Sequence, residues 1–165
     1  MNLTIRKCTE KDYPFILKAN EENVDFLSPM DEDKLKKFAS SAETLMAADI
    51  NSTPAAFLIA FREGLSFYDS ENYRWFSKNY PKFLYIDRVV IDKPYRGNGI
   101  GRALYNAVLS HAKTTGVPFV TAEIDTVPYN EASLKFHKSL GFKEVGVQSI
   151  RGGAVKVSLQ EAEIK

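Results

Sequence analysis

The chain has 165 residues, of which 44% are hydrophobic and 26% are charged, and its formal net charge at pH 7 is +1. This size and composition are typical of one globular domain, so we expect residues 1–165 to form a single domain. The chain is close to neutral and has no long apolar run. It therefore lacks the strong positive charge typical of nucleic-acid-binding proteins and the apolar segment that a membrane span requires.

The chain contains one cysteine and two histidines. This rules out an intrachain disulfide and makes a metal site improbable, so we expect no metal. The N-terminus lacks the pattern of a secretory signal, which together with the cysteine count favours a cytoplasmic protein.

Hydrophobic periodicity predicts alternating strands and helices along the chain. The first part is predicted to contain a strand at 3–6, helices at 10–19 and 31–48, and strands at 55–61 and 83–91. The second part is predicted to contain a helix ending at Gly116, a strand at 119–124, a helix from Asn130 to Gly141, and strands at 142–148 and 154–159. The expected order is β-α-α-β-β-α-β-α-β-β. This is an α/β (α+β) fold with a mixed sheet of six or seven strands and about four helices.

The stretch DKPYRGNGIGRAL, residues 92–104, has three glycines within five positions. It follows an apolar strand and opens a helix, so main-chain N–H groups and the positive end of the helix dipole point to one place. Arg96 and Arg102 add positive charge on both sides. The spacing fits neither the dinucleotide pattern G-x-G-x-x-G nor the phosphate loop ending in Gly-Lys-Ser/Thr. The residues therefore favour an anion site, with a tight turn that binds nothing as the alternative.

Two motifs in this chain resemble the signatures of the GNAT superfamily of acyl-CoA-dependent N-acetyltransferases. The first is Arg96-x-x-Gly99-x-Gly101. The second, about thirty residues later, is NEASLKFHKSLGF, which is similar to the GNAT helix that runs from a cofactor-contacting Asn to a Gly-Phe pair. The chain has His137 where the family usually has a tyrosine, and it resembles a smaller GNAT subgroup in this respect. The resemblance implies a mostly antiparallel GNAT sheet.

The resemblance also implies that acetyl-CoA is the cofactor, lying where the fourth and fifth strands of the family fold separate. The residues whose main chain would pair with the pantetheine arm are Val89, Val90 and Ile91. The residues that would hold the diphosphate are Arg96, Gly97, Asn98, Gly99, Ile100, Gly101 and Arg102. Asn130 and Ser133 would contact the cofactor from the following helix.

Direct attack of an amine on a thioester requires a group that accepts the amine proton, because the pKa of a lysine-type amine is about 10.4. Asp87 is the first candidate, and an Asp87–Arg pair that only stabilises the sheet is its alternative. Glu123 is the second candidate, with an edge-facing or paired carboxylate as its alternative. His137 occupies the place of the usual acid, and it either protonates the leaving thiolate or packs against the cofactor.

The amine acceptor is expected to meet two variable segments. Residues 63–82 form a long, aromatic-rich connection that either lines the acceptor pocket, packs on the sheet, or joins two copies of the chain. Residues 20–34 are acidic, which would suit a cationic amine. The residues expected to contact the acceptor are Asp25, Phe26, Tyr73, Trp75 and Tyr85.

We therefore predict an N-acetyltransferase that transfers an acetyl group from acetyl-CoA to a primary amine by direct attack in a ternary complex. The acceptor is a small-molecule amine, an amino acid or a protein amine. Two alternatives are a non-catalytic acyl-CoA-binding regulatory module and a dimeric interaction protein that uses the aromatic segment.

Overall fold

The computed structural model describes residues 1–165, which form seven β-strands and five α-helices. The strands are β1 (Leu3–Lys7), β2 (Thr44–Ile50), β3 (Thr53–Arg62), β4 (Leu84–Ile91), β5 (Phe119–Val127), β6 (Lys143–Ile150) and β7 (Val155–Glu163). The helices are α1 (Tyr13–Glu21), α2 (Glu32–Ser41), α3 (Glu71–Asn79), α4 (Ile100–Thr115) and α5 (Glu131–Ser139). None of the helices combines the length and the apolar composition that a membrane span requires.

The strands form one sheet in the order β1-β2-β3-β4-β5-β7-β6. Neighbouring strands pair in antiparallel fashion in β1–β2, β2–β3, β5–β7 and β6–β7. Strands β4 and β5 are parallel, and they pair at Leu84 with Val120 and at Tyr85 with Thr121. The predicted mixed, mostly antiparallel sheet is therefore confirmed, with seven strands.

The helix predicted for residues 31–48 was too long. Helix α2 ends at Ser41, and β2 begins at Thr44 and pairs with both β1 and β3. The apolar residues Leu45 and Met46 happen to continue the helical spacing of Leu35 and Phe38. Sheet pairing on both sides of β2 outweighs that local pattern, because strand formation depends on neighbours that are distant in sequence.

Helix α3 was missed, since residues 63–82 were read only as an aromatic connection. Ser70 caps this helix, with its hydroxyl accepting a hydrogen bond from the main-chain N–H of Tyr73 at 3.2 Å. Tyr73 and Phe76 lie three residues apart on its buried face. A serine cap followed by apolar residues at this spacing is a helix signal that the sequence does contain. With β2 and α3 added, the order becomes β-α-α-β-β-α-β-α-β-α-β-β.

The chain divides into two compact units. The first unit comprises residues 1–61 and 86–110, and the second comprises residues 62–85 and 111–165. In the first unit, the strand β3 forms the core, and Phe61 meets Phe38 of α2 edge to face with ring centroids 5.2 Å apart. The prediction of a single domain stays a prediction.

The core of the second unit is aromatic. The ring of Tyr73 on α3 lies 5.5 Å from that of Phe83 and 5.6 Å from that of Tyr85. Phe76 contacts the same two rings at 6.2 and 5.8 Å. These four side chains are at most 1% exposed. From residues 63–82, Tyr73 and Phe76 therefore belong to the hydrophobic core of the second unit.

Candidate functional site

The glycine-rich loop connects β4 to α4, as the sequence predicted. A short 3₁₀ turn at Lys93–Tyr95 follows β4, and α4 begins at Ile100 with a bond from the N–H of Ala103 to the carbonyl of Gly99 at 3.1 Å. The N–H groups in the first turn of a helix have no carbonyl partner within the helix. They lie at its positive end, so this loop has the geometry of an anion site.

Two glycines of the loop have backbone conformations that favour glycine. The φ angle is +81° at Gly97 and +75° at Gly99, and apart from the adjacent main chain no protein atom lies within 4 Å of the position that a β-carbon would occupy at either residue. The space beside both residues is therefore open to a ligand, and packing against the protein does not explain these glycines. Gly97 and Gly99 therefore fit a loop that binds the diphosphate of a coenzyme.

The side chain of Arg96 is held by two contacts in the first unit. Its Nε donates to the carbonyl of Ile91 at 3.0 Å, and its Nη2 donates to Oδ1 of Asn23 at 3.1 Å. Arg96 is exposed, and so is Arg102 in the first turn of α4. The two arginines predicted to flank the loop are thus at the surface beside the open glycines.

Strand β4 alternates in burial along its second half. Val89 and Ile91 are partly exposed, while Arg88 and Val90 are buried. Asp87 is partly exposed as a whole residue, but its side chain is only 4% exposed. Because successive residues of a strand point to opposite faces, Asp87, Val89 and Ile91 lie on one face of β4 and Arg88 and Val90 on the other.

Asp87 and Arg88 form a buried ion pair in which both side chains are 4% exposed. The Nε of Arg88 donates to Oδ2 of Asp87. Burial raises the pKa of Asp87, and the charges of Arg88 and Lys34 oppose this rise. The Asp–Arg pair that was the alternative to a catalytic Asp87 is present, with the adjacent Arg88 as the partner. Successive residues of a strand point to opposite faces, but the long Arg88 side chain turns back to reach Asp87.

Asn130, where a helix was predicted to begin, caps α5 in the second unit, and its Oδ1 accepts a hydrogen bond from the N–H of Ser133 at 3.1 Å. Ser133 also meets His137, whose Nδ1 donates to the carbonyl of Ser133 at 2.7 Å and lies 3.3 Å from its hydroxyl. The imidazole therefore carries a proton on Nδ1.

His137 is 5% exposed and packs between two phenylalanines. Its ring centroid lies 5.4 Å from that of Phe136 and 5.1 Å from that of Phe142. Burial lowers the pKa of His137 below its ordinary 6.5, although the bond to Ser133 opposes this. Since its pKa lies below 6.5, the imidazole is mostly neutral at pH 7 and is therefore a weak proton donor.

Glu123 on β5 meets Tyr85 on β4. The hydroxyl of Tyr85 donates to Oε1 of Glu123 at 2.8 Å, and the tyrosine is 1% exposed. The structure thus brings together one predicted base and one predicted acceptor residue.

The other residues expected to contact the amine acceptor differ from one another in burial and in contacts. Tyr73 is buried, and its hydroxyl donates to the carbonyl of Arg62 at 2.7 Å. Trp75 is partly exposed and lies against Gly146 of β6. Asp25 and Phe26 are exposed in the link between α1 and α2. Packing on the sheet, one alternative for residues 63–82, therefore describes the positions of Tyr73 and Trp75.

The structure brings no group of three His, Cys, Asp or Glu side chains together in an arrangement that could hold a metal ion.

The sequence profile described as the acetyltransferase (GNAT) family matches residues 8–142. The chain therefore belongs to the GNAT acetyltransferase family.

Parts of the chain are also similar to curated proteins. It is 41% identical over 54 residues to the mycothiol acetyltransferase of Nocardiopsis dassonvillei, and 35% identical over 69 residues to the N-alpha-acetyltransferase RimI of Mycobacterium tuberculosis. These segments cover 33% and 41% of this chain. They span only 16% and 40% of the lengths of those relatives.

Solved structures agree over the full chain. Ard1 from Thermoplasma volcanium is 15% identical and matches with a TM-score of 0.78, covering 100% of this chain and 99% of its own. YncA from Salmonella typhimurium, solved with its cofactor acetyl-CoA, is 17% identical and matches with a TM-score of 0.74, covering 100% of this chain and 95% of its own. At these identities the likeness shows the fold.

Proposed function

We propose that this chain is an N-acetyltransferase that uses acetyl-CoA to acetylate a primary amine. The observation that carries the proposal is the loop before α4, where Gly97 and Gly99 have positive φ and open space beside them. A member of the GNAT family with this loop has a place for the coenzyme diphosphate.

Acetyl-CoA, when bound, supplies the acetyl group as an activated thioester. The residues proposed to hold its diphosphate are Arg96, Gly97, Asn98, Gly99, Ile100, Gly101 and Arg102. The main chain of Val89, Val90 and Ile91 is proposed to align the pantetheine arm, with Asn130 and Ser133 contacting it from α5. Holding the cofactor beside the amine supplies a large part of the rate by orientation.

For the proton of the attacking amine, we propose Glu123 as the acceptor. Asp87 is hydrogen-bonded to the buried Arg88. Protonating Asp87 would leave the Arg88 guanidinium without its counter-ion. Glu123 instead accepts from the neutral hydroxyl of Tyr85. A neutral partner can exchange for an amine or a water at lower cost than a charged one.

We propose that His137 positions the cofactor arm rather than acting as a charged acid. Its lowered pKa and its bond to the carbonyl of Ser133 favour the neutral form at pH 7. A thiol with a pKa near that of cysteine, about 8.5, leaves without strong acid assistance. The thiolate would take up a proton from solvent, and Glu123 would release to solvent the proton that it accepted from the amine.

The acceptor is proposed to be a primary amine of a small molecule or a peptide, contacted by Asp25 and Phe26. Both residues are exposed on the link between α1 and α2. The Asp25 carboxylate would attract an ammonium group, and the Phe26 ring would contact that cation or an apolar group beside it.

The first experiment compares Gly99→Val with Gly116→Val. Both glycines have φ of +75° and open space at the β-carbon position, and they flank the two ends of α4. The two variants should therefore lose similar stability through backbone strain. Only Gly99→Val should lose binding of acetyl-CoA in calorimetry, and equal affinities in the two variants would contradict the proposed loop.

The second experiment offers the protein acetyl-CoA and a mixed panel of amines, with the products read by mass spectrometry. A mass increase on one class of amine identifies the acceptor. The neutral, buried His137 is the observation that favours a non-catalytic acyl-CoA-binding module as a second candidate. Binding of acetyl-CoA without release of free thiol for any amine would support that second candidate.

A further inference from the structure

Residues 22–31 link α1 to α2 and contain neither helix nor strand; they are called here the linking segment. The segment carries Asp25 and Phe26, and the side chain of Phe26 is 73% exposed. Groups on an irregular loop are held in place only when other parts of the protein fix its main chain. The contacts that hold this loop therefore determine where its exposed side chains lie.

Arg88 of β4 forms hydrogen bonds with Ser28 of the linking segment. Its Nη2 donates to the Ser28 hydroxyl at 2.9 Å, and its Nη1 donates to the Ser28 carbonyl at 3.1 Å. The same Nη1 donates to Oδ1 of the buried Asn20 at the end of α1, at 2.8 Å. The Arg88 side chain is 4% exposed, its bond to Asn20 is buried, and its two bonds to the exposed Ser28 are partly buried.

Lys34 of α2 also forms hydrogen bonds with the linking segment, at Ser28 and Pro29. Its Nζ donates to the Ser28 hydroxyl at 3.0 Å and to the carbonyl of Pro29 at 2.8 Å. The Lys34 ammonium and the Arg88 guanidinium lie 5.4 and 5.6 Å from the centroid of the Phe38 ring. Arg88 and Lys34 thus bind the carbonyls of Ser28 and Pro29, and the Phe38 ring lies near both cations.

The beginning of the linking segment has its own contact. Arg96 donates to Oδ1 of Asn23 at 3.1 Å, and the Asn23 amide donates to the carbonyl of Ala19 at 2.8 Å. The segment is therefore held near both ends, by β4 and by the loop that follows β4. These are the parts of the first unit that carry the proposed cofactor-binding residues.

We propose that Arg88 is a positioning residue for the acceptor, which sets the place of the linking segment through Ser28 and so determines which amines are accepted. This inference rests on the proposed function. Asp87 serves in it as the counter-ion that keeps Arg88 in place. Arg88 itself touches neither the acceptor nor the cofactor.

The test uses Arg88→Lys, which keeps the charge but loses the planar fork that reaches Ser28 and Asn20 together. Hydrogen exchange in residues 22–31 should become roughly tenfold faster or more, which corresponds to the loss of one charge-assisted hydrogen bond. Arg6→Lys is the matched control, because Arg6 also has a forked contact with carboxylates in the first unit but does not contact the segment. The control should leave exchange in residues 22–31 unchanged.

A second variant, Ser28→Ala, keeps the test valid should Arg88→Lys fold poorly, since Ser28 is exposed. With the best amine from the panel, both variants should raise the KM for the amine roughly tenfold and leave the KM for acetyl-CoA within about twofold. Unchanged exchange in the segment, or equal increases in both KM values, overturns the role of Arg88 alone. A wild-type chain that binds no acetyl-CoA and acetylates no amine overturns the proposed function, and this inference with it.

Discussion

Gly146 of β6 lies directly against the indole of Trp75 on α3. A β-carbon at Gly146 would overlap the six-membered ring, with Cζ2 and Cη2 of Trp75 as its nearest atoms. The ladder between β6 and β7 is irregular at this point, between Glu144 and Gly146. The absence of a side chain on β6 therefore allows α3 to pack closely against this strand.

Gly146→Ala should destabilise the protein by roughly 1–3 kcal/mol, because the added methyl group must displace a large ring. Trp75 is the only tryptophan in the chain, so its fluorescence reports the displacement directly. Urea unfolding measures the stability. Adding Trp75→Leu to Gly146→Ala should make the alanine nearly neutral, and a cost that persists in the double variant would contradict the contact.

Ser52→Gly should stabilise the protein by up to about 1 kcal/mol, since glycine removes the strain of a left-handed serine but loses more chain entropy. Asn51 and Ser52 connect β2 to β3 with φ of +49° and +67°. An Asn-Gly pair is strongly preferred in such two-residue turns. Thermal unfolding should show the gain. Asn51→Gly is the control, and it should not stabilise, because it loses the bond from the N–H of Asn2 to Oδ1 of Asn51.

Asp12→Asn should lower stability at pH 7 by roughly 1–3 kcal/mol, since Asp12 receives two bonds from Arg6, at 2.7 and 2.8 Å, and is buried. Arg6 holds the pKa of Asp12 below its ordinary 3.8. Asp12 therefore stays charged in the native state at pH values where the unfolded chain takes up a proton. The stability contributed by the Arg6–Asp12 pair is present above pH 3.8 and is lost as the pH falls through the pKa of Asp12 in the folded protein.

Urea titrations at several pH values check this prediction. The difference between wild type and Asp12→Asn should shrink below about pH 4, where the unfolded aspartate becomes protonated. The control is Asp69→Asn, because Asp69 pairs with Arg74 at the surface and its side chain is 91% exposed. That exposed pair should contribute little at any pH. A difference for Asp12 that stays constant down to pH 2.5 would refute the prediction.

His137→Phe should remove a pH-dependent part of the stability. Burial lowers the pKa of His137, so the unfolded chain binds its proton at a higher pH than the native state does. Stability from the neutral histidine is therefore complete above about pH 6.5 and is lost as the pH falls through the folded value. Between pH 7.5 and 5, wild type should lose more stability than the variant. Both proteins keep His111, so parallel stability curves would show that His137 does not titrate in this way.

The two carboxylates should respond differently when neutralised. Glu123→Gln should lower kcat by about 10²–10⁴ at neutral pH, with a smaller deficit at high pH, where the amine ionises without help. Asp87→Asn should instead lower stability by several kcal/mol, because it leaves the buried Arg88 without a counter-ion. Steady-state rates across pH and urea unfolding separate the two effects. A rate deficit in Asp87→Asn that shrinks at high pH while stability is unchanged would return the role of the base to Asp87.

Some features of this protein were predictable because their causes are local. The glycine loop was found because positive φ at Gly97 and Gly99 restricts the choice of residue wherever the chain is placed. Asn130 was found as a helix cap because its side chain bonds the N–H of a residue three positions later. Strands β3 and β4 were found because buried strands are continuous apolar runs.

Other features followed from contacts between distant parts of the chain. Strand β2 is a strand because β1 and β3 pair with it, although its residues 45 and 46 extend a helical pattern. Arg88 could not be assigned from its neighbours, because its partners Asn20 and Ser28 lie 60 to 68 positions away. The protonation of His137 depends on burial between two phenylalanine rings.

Backbone conformation, capping and hydrophobic periodicity are properties of a few consecutive residues, so the amino-acid order alone was enough to indicate the fold class and the proposed cofactor loop. Strand partners, ion-pair partners and shifted pKa values depend on which surfaces meet and how much water they exclude. Folding sets both, so only the assembled structure could show how the linking segment is held and that Asp87 is the carboxylate paired with Arg88.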